Sequence, residues 1–373
     1  MSSRLFLLVC SLVTAVLLAS CSGGGNDDPI AIKVGIVQSL SGDGALYGKS
    51  AVEGMELAIE EVNEDGDVEI EYVVVDDKSS VNDSLAAYRS LKDQGVDVIL
   101  GPTYSTIAQQ VLKYADENSI PAIAPITTGS GLGAIGDYVF RIALAEDASL
   151  PHLVERVNEE SKIGTAALVF DSSDVYSRTA AEAFRKGVRD VGGTISREID
   201  IASSPDWSET FSDQAVASSD AILLPLLLNG TTADILKAIK AAGYTKPLLG
   251  GEAITTEGLA QLAGDAVNGL YVASSWHPAA TDQMSKDFVA AYRAKFGHEP
   301  EHYAASSYTA IYVLEEAVKK AKNTQAADLQ RELANVEIDS VLGELTMSDE
   351  GDAVFEPVVQ RFENGKLVLL PDR

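Results

Sequence analysis

Two apolar patterns alternate along most of this chain. Short runs rich in Ile and Val predict buried strands, and apolar positions three and four apart predict helix faces between them. Residues 30–38 open the series as a strand, and Met55, Ala58, Ile59 and Val62 line a helix that starts from Ala51. Residues 70–75 predict a strand ending at Asp76 and Asp77, backed by a helix carrying Leu85, Tyr88 and Leu91. Residues 96–100 read as a strand closed by Gly101 and Pro102, and Ile107, Ala108, Val111, Leu112 and Ala115 line the next helix. Residues 121–125 and 138–142 are two further strands. Strands separated by single helices imply a parallel sheet with helices on both faces.

The series then restarts. Residues 164–170, 194–199, 221–228, 247–250 and 270–273 read as strands. Ala181, Phe184, Val188 and Val191 line one intervening helix, and Ile235, Ala238 and Ile239 another. Residues 285–322 are helical. Residues 354–361 and 365–370 form the one clear hairpin, turning at Glu363, Asn364 and Gly365. The fold class is therefore α/β, with two successive units that share an architecture but no periodic identity.

The N-terminus breaks the alternation. Leu5 to Leu18 is an almost unbroken apolar run behind Arg4, shorter than the ~20 residues that span a bilayer. It ends in Leu18-Ala19-Ser20-Cys21 before Ser22-Gly23-Gly24-Gly25, which predicts a secretory signal over residues 1–20. The segment resembles the lipobox of bacterial lipoproteins, which implies cleavage before Cys21, lipidation of that thiol and a tether over residues 21–29. The protein is then expected at the cell envelope, on the periplasmic or extracellular face, touching the membrane through lipid alone.

Charge and cysteine count narrow the function. The chain carries 28 Lys and Arg against 56 Asp and Glu, a formal charge of −28. That balance argues against nucleic-acid partners and against recruitment by anionic lipid. The chain has 2 cysteines, and Cys10 leaves with the signal while Cys21 takes lipid. Neither an internal disulfide nor a cysteine metal cluster is expected. No cofactor and no metal is expected, since His298 and His302 have Pro300 between them.

The loop from Ser39 to Gly48 matches a dinucleotide fingerprint at Gly42 and Gly44, but Tyr47 fills the third glycine slot. Its functional reading is that Tyr47 covers a ligand. Asp76 and Asp77 are read as capping residues, not catalytic acids. No catalytic residue is expected, because no nucleophile elbow or phosphate loop occurs. The loop Gly101-Pro102-Thr103-Tyr104-Ser105-Thr106 joins a strand to a helix, where hydroxyls and open N–H groups suit a carboxylate. The alternative is plain N-capping by Thr103 or Ser105. Ile126-Thr127-Thr128 lies in a second such loop. Tyr176 and Glu252 follow strands of the second unit, where an acid suits an ammonium.

These segments, in their order and spacing, resemble the branched-chain amino-acid (leucine/isoleucine/valine) binding proteins of ABC importers, of the type I periplasmic binding protein fold. The matching residues are Ile32 to Ile36 with Leu40-Ser41-Gly42, Tyr47-Gly48, Asp76-Asp77, Gly101-Pro102 with Ser105-Thr106, and Ile123-Ala124-Pro125 with Thr127-Thr128. Tyr176, Asp206-Trp207-Ser208 and Ala241-Ala242-Gly243 continue the match. The resemblance implies two lobes joined by three crossing strands, with residues 30–144 and 277–346 in the first and 145–276 and 347–373 in the second. It implies that Ser105 and Thr128 hold a ligand carboxylate, that the Ile126 carbonyl and Glu252 take the ammonium, and that Tyr47 and Tyr176 cover the ligand. Tyr104, Thr106 and Thr127 complete the expected ligand-binding set. The implied protein is no enzyme. It is a monomeric solute receptor for a small aliphatic amino acid, with an ABC permease as partner. A sensory module of the same fold, binding an amino acid, amide or small carboxylate, is the alternative. The apolar stretch Pro225 to Asn229 and Trp276 leave the side-chain preference open.

Overall fold

The computed structural model describes residues 29–203 and 205–371. The expected signal, the lipidated Cys21 and the tether before Pro29 lie outside them. Among the described residues no helix is long and apolar enough to cross a membrane.

The first half alternates strand and helix: β1 (Ile30–Gln38), α1 (Ala45–Asp65), β2 (Val68–Asp76), α2 (Val81–Asp93), β3 (Val98–Leu100), α3 (Ser105–Glu117), β4 (Ala122–Ala124) and β5 (Val139–Arg141). The five strands form a parallel sheet ordered β2-β1-β3-β4-β5. Alternation along β1 sends Ile32, Val34 and Ile36 into the core under α1, while Val37 joins the opposite core under α2 and α3.

The second series is α4 (Glu146–Glu160), β6 (Thr165–Phe170), α5 (Val175–Asp190), β7 (Thr194–Asp200), α6 (Trp207–Ser212), α7 (Gln214–Ala217), β8 (Ala221–Leu224), α8 (Gly230–Ala241), β9 (Leu248–Gly250), α9 (Glu257–Ala263) and β10 (Leu270–Ser274). Helices α10 (Gln283–Phe296), α11 (His302–Ala321) and α12 (Ala326–Leu333) follow. They return to the first core, where α11 crosses α1 at Gly54. A Cβ there would lie 2.1 Å from the Ala304 carbonyl oxygen, so only glycine allows this approach. Strands β11 (Glu337–Ser340), β12 (Gly343–Met347) and β13 (Ala353–Val354) make a small antiparallel sheet, and β14 (Val358–Glu363) and β15 (Lys366–Leu369) end the chain. β14 pairs antiparallel with β10, giving a seven-stranded sheet ordered β15-β14-β10-β9-β8-β6-β7.

Several expectations need correction. α1 begins at Ala45, six residues before the predicted start. α4 was not predicted, because Pro151 interrupts the pattern of Leu150, Leu153, Val154 and Val157. β8 stops at Leu224 because Pro225 has no N–H for the ladder. The first strand of the hairpin, expected over 354–361, divides, with Val354 pairing in the small sheet and the hairpin strand starting at Val358. That small sheet supplies a second antiparallel hairpin. β12 spans residue 346, and the chain joins the larger sheet from Val358.

The small sheet is fastened by a buried ion pair. Arg141, fully buried at the end of β5, donates from Nε to Asp352 Oδ1 at 2.9 Å and pairs with Oδ2 at 2.7 Å. Its remaining nitrogen donates to the Gly129 carbonyl at 2.5 Å. Breaking a buried pair strands the remaining charge, at a cost of about 3–5 kcal/mol. Asp352→Ala is expected to lose that much in urea unfolding; an unchanged midpoint would show that Arg141 stands without its partner.

Candidate functional site

The loops that follow β3 and β4 face the loops that follow β6, β8 and β9 across a cleft. Between them lies a narrow cavity of about 30 Å³, well below the roughly 300–1,000 Å³ of small-molecule sites. Tyr47, Tyr104, Ser105, Ile126, Thr127, Thr128, Tyr176 and Glu252 all line it. Thr106 does not. Its hydroxyl donates to Asp174 Oδ2 at 2.7 Å and accepts from the Val175 amide at 3.1 Å, tying α3 to α5 across the cleft.

One wall is built for an anion. The Tyr104 position precedes α3 without a side-chain cap, so the first-turn N–H groups of α3 open toward the cavity. The capping alternative fails because Thr103 is used elsewhere. Its hydroxyl accepts from the Ser39 amide at 2.9 Å and donates to Gln38 Oε1 at 2.7 Å. Ser105 Oγ accepts from the Gly129 amide at 3.1 Å, which leaves its proton for another acceptor. Thr127 Oγ1 is buried and has no hydrogen-bond partner. Thr128 behaves differently from Ser105, since its hydroxyl donates to Glu146 Oε1 at 3.1 Å.

The facing wall is acidic. Glu252 follows β9, and its Oε1 accepts from the Ser275 amide at 2.8 Å and from the Ser275 hydroxyl. Glu146, at the start of α4, is fully buried directly behind. Its Oε1 also accepts from the Glu252 amide at 3.2 Å. Burial holds the Glu252 carboxyl above the usual carboxylate range. Burial, with the Glu252 charge added, does the same to Glu146. Neither acid has a Lys or Arg ion-pair partner among the described residues. Arg141 is committed to Asp352. His302 Nε2 lies 3.7 Å from Glu252 Oε1, but burial pushes the imidazole down to about 3, so it is neutral. This wall therefore lacks one positive charge.

Between the walls the lining is aromatic and apolar. Tyr47 packs edge-on against Tyr104 and Tyr303, with ring centroids 5.9 and 5.1 Å away. Its hydroxyl donates to the Ala253 carbonyl at 3.1 Å and accepts from the Leu228 amide at 2.8 Å. Both partners belong to the opposite side, so Tyr47 bridges the cleft. Thr256 Oγ1 donates to Glu301 Oε1 at 2.6 Å as a further bridge, and Tyr303 donates to the Glu252 carbonyl at 3.3 Å.

The sequence reading missed Ala253 and Tyr303 in the lining and Glu146 behind it, while Thr103 and Leu227 line the cavity from a loop and an apolar stretch it singled out without assigning them to the ligand. Glu146 follows an apolar run and precedes Asp147, which is also how an ordinary acidic first turn looks. Tyr303 arrives from α11, almost 200 residues after the first loops. Trp276 is not in the lining: its Nε1 donates to Ser285 Oγ at 3.0 Å and its ring packs on Phe288. Asp76 and Asp77 cap loop backbone, as at Leu40 and Ser79, while Ser80 caps α2. His298 is exposed and meets Tyr292 edge-on. Among the described residues no group of three or more His, Cys, Asp or Glu is placed to hold a metal.

Comparison with known proteins gives a consistent result. A family model described as periplasmic binding protein matches residues 31–359. The Leu/Ile/Val-binding protein homolog 3 of Brucella melitensis is 23% identical over 367 residues, covering 96% of this chain and 98% of that protein. The branched-chain amino-acid transporter substrate-binding protein LivJ of Streptococcus pneumoniae, solved with isoleucine, superposes with a TM-score of 0.81 at 25% identity, covering 90% of this chain and 97% of that one. A solute-binding protein of an ABC transporter from R. palustris, solved with benzoate, shares the fold with a TM-score of 0.78 at 22% identity, covering 91% and 95%.

Tyr47→Phe removes both hydrogen bonds that its hydroxyl makes across the cleft. At about 0.5–1.5 kcal/mol net for each, the variant is expected to shift toward a wider cleft. Small-angle scattering of the unliganded protein should show a larger radius of gyration; identical scattering would mean that other contacts set the closure.

Proposed function

The chain belongs to the periplasmic binding protein family, and we propose that it is an extracytoplasmic receptor that captures an aliphatic amino acid and presents it to an ABC permease. The observation that carries this reading is the opposed chemistry of one cavity. Open N–H groups and the Ser105 and Thr127 hydroxyls lie on one wall, and Glu252, with no resident cation, lies on the other. A zwitterion satisfies both at once. Its carboxylate takes the donors at the start of α3 and its ammonium takes Glu252. The side chain then lies among Tyr47, Tyr104, Tyr303 and Leu227, a lining with apolar bulk and no free charge. A small carboxylate such as benzoate satisfies only the first wall and leaves the second uncompensated.

In this reading the five-stranded sheet with α10–α12 and the small sheet forms one lobe, and the seven-stranded sheet forms the other. The bridges from Tyr47, Thr106 and Thr256 hold the closed arrangement that the permease recognises. The protein works as a monomer. It is anchored by lipid on Cys21, which keeps the receptor beside its permease.

A thermal-shift screen against the twenty amino acids and their 2-oxo acids tests the ligand class. A true ligand at 100 times its Kd adds about 2.7 kcal/mol of apparent stability. Aliphatic amino acids are expected to give the largest shifts; a screen in which only 2-oxo acids respond would overturn the reading. Glu252→Ala is expected to abolish the response to amino acids, and Ser105→Ala to weaken binding by roughly 1–3 kcal/mol. For the anchor, Cys21→Ser should move the protein from the membrane fraction to the soluble fraction, and retention in the membrane would refute lipidation there.

A further inference from the structure

We propose that Glu146 is a positioning residue of this site, sharing one proton with Glu252 and giving it up when an ammonium enters. The inference rests on the amino-acid reading above and adds a proton that leaves on binding. Glu146 does not line the cavity; it is the fully buried group behind it. It touches both walls. Its Oε1 accepts from Thr128 Oγ1 at 3.1 Å and from the Glu252 amide at 3.2 Å, while Oε2 accepts from Ser149 Oγ at 3.3 Å. Its own amide donates to the Thr128 carbonyl at 3.0 Å. One side chain thus fixes the loop that follows β4 and the turn that carries Glu252.

The surrounding groups do not neutralise it. The β4 loop offers Thr128, and α4 itself offers Ser149 and the exposed Asp147. From α5 comes Tyr176, a phenol whose ionisation burial pushes far from neutrality. From α11 come the neutral His302 and Tyr303, and from α1 comes Tyr47. From β5 comes Arg141, whose charge favours ionised Glu252 but whose ion-pair partner is Asp352. The turn after β9 adds only the second acid, Glu252. Two buried carboxyls, linked through the Glu252 amide and with no ion-paired cation among the described residues, cannot both ionise cheaply, so one proton belongs to the pair and not to either residue. Burial raises both groups, which agrees with this arrangement. An entering ammonium supplies the missing positive charge. The carboxyl O–H bond then breaks, the proton passes to solvent buffer, and the ammonium keeps its three hydrogens.

Calorimetric titration of the protein with L-leucine, from pH 6 to 8 in two buffers of different ionisation enthalpy, counts the protons released. The wild type is expected to release about one proton per leucine near pH 6.5 and to bind up to tenfold tighter for each pH unit gained, levelling off near pH 8. Glu146→Gln leaves Glu252 without an acidic neighbour, so its affinity should depend on pH less steeply than the wild type's, the burial of Glu252 leaving a residual slope. The 2-oxo acid of leucine brings no ammonium and should release no proton. A wild type that binds leucine without proton release, or a Glu146→Gln variant with the wild-type slope, overturns the inference while leaving the receptor reading intact. If the variant does not fold, the wild-type proton count decides alone. Failure of every amino acid to bind at any pH would overturn the receptor reading first, and this inference with it.

Discussion

The structure depends on negative charge buried at the cleft without a resident cation. A carboxylate taken out of water costs several kcal/mol even after the protein relaxes around it. Glu252 answers part of that cost with the Ser275 amide and hydroxyl, and Glu146 answers part with Thr128, Ser149 and the Glu252 amide. Hydrogen bonds donated to a carboxylate favour its ionised form, but they supply no full positive charge. Arg141 shows the other solution. It is just as deeply buried, yet Asp352 neutralises it in place, and so it serves the scaffold.

Topology explains why the unneutralised acid sits where it does. In parallel sheets the loops beyond the C-terminal strand ends carry ligands, since helices begin there with open N–H groups. Here two such sheets face each other, so their loop sets converge on a single cavity. The first contributes the uncapped start of α3, and the second contributes Glu252 after β9. Close helix packing keeps these loops in register. Gly48 lets α1 approach the β1 loop, where a Cβ would lie 2.1 Å from the Ser39 carbonyl oxygen. That approach places Tyr47 over the cavity in the slot where a dinucleotide fold needs its glycine.

The strands and most helices were legible because burial on both sheet faces writes itself as apolar runs and as three-and-four spacing. Ser105, Thr127 and Glu252 were legible because polar residues follow such runs at strand ends. What escaped had other causes. Proline hid α4, and with it the special place of Glu146, since an acid in a first turn is ordinary by pattern. Strands β11 to β13 are short and half-exposed, so their alternation is faint. Leu227 lies beyond the true end of β8, where a continuing apolar run looks like strand but turns into the cleft. Tyr303 reaches the cavity only through the packing of α11 on α1, a contact that no local window contains. Thr106 has the right residue type and location, but Asp174 captures its hydroxyl from the other side.

Closure and charge must also be balanced against each other. The cross-cleft bonds of Tyr47, Thr106, Thr256 and Tyr303 are protein to protein, and each favours the closed form whether or not a ligand is present. At about 0.5–1.5 kcal/mol apiece they sum to several kcal/mol. Alone, they would close the cleft permanently, and a ligand would then change nothing. Desolvation of the acid pair works against them, because closing the cleft strips water from Glu252. Moving a two-state balance from 1:99 to 99:1 takes about 5.5 kcal/mol of differential binding. In the proposed reading, an ammonium at Glu252 contributes to that difference. In that reading the acid that takes the ligand is also the group whose charge closure must accommodate.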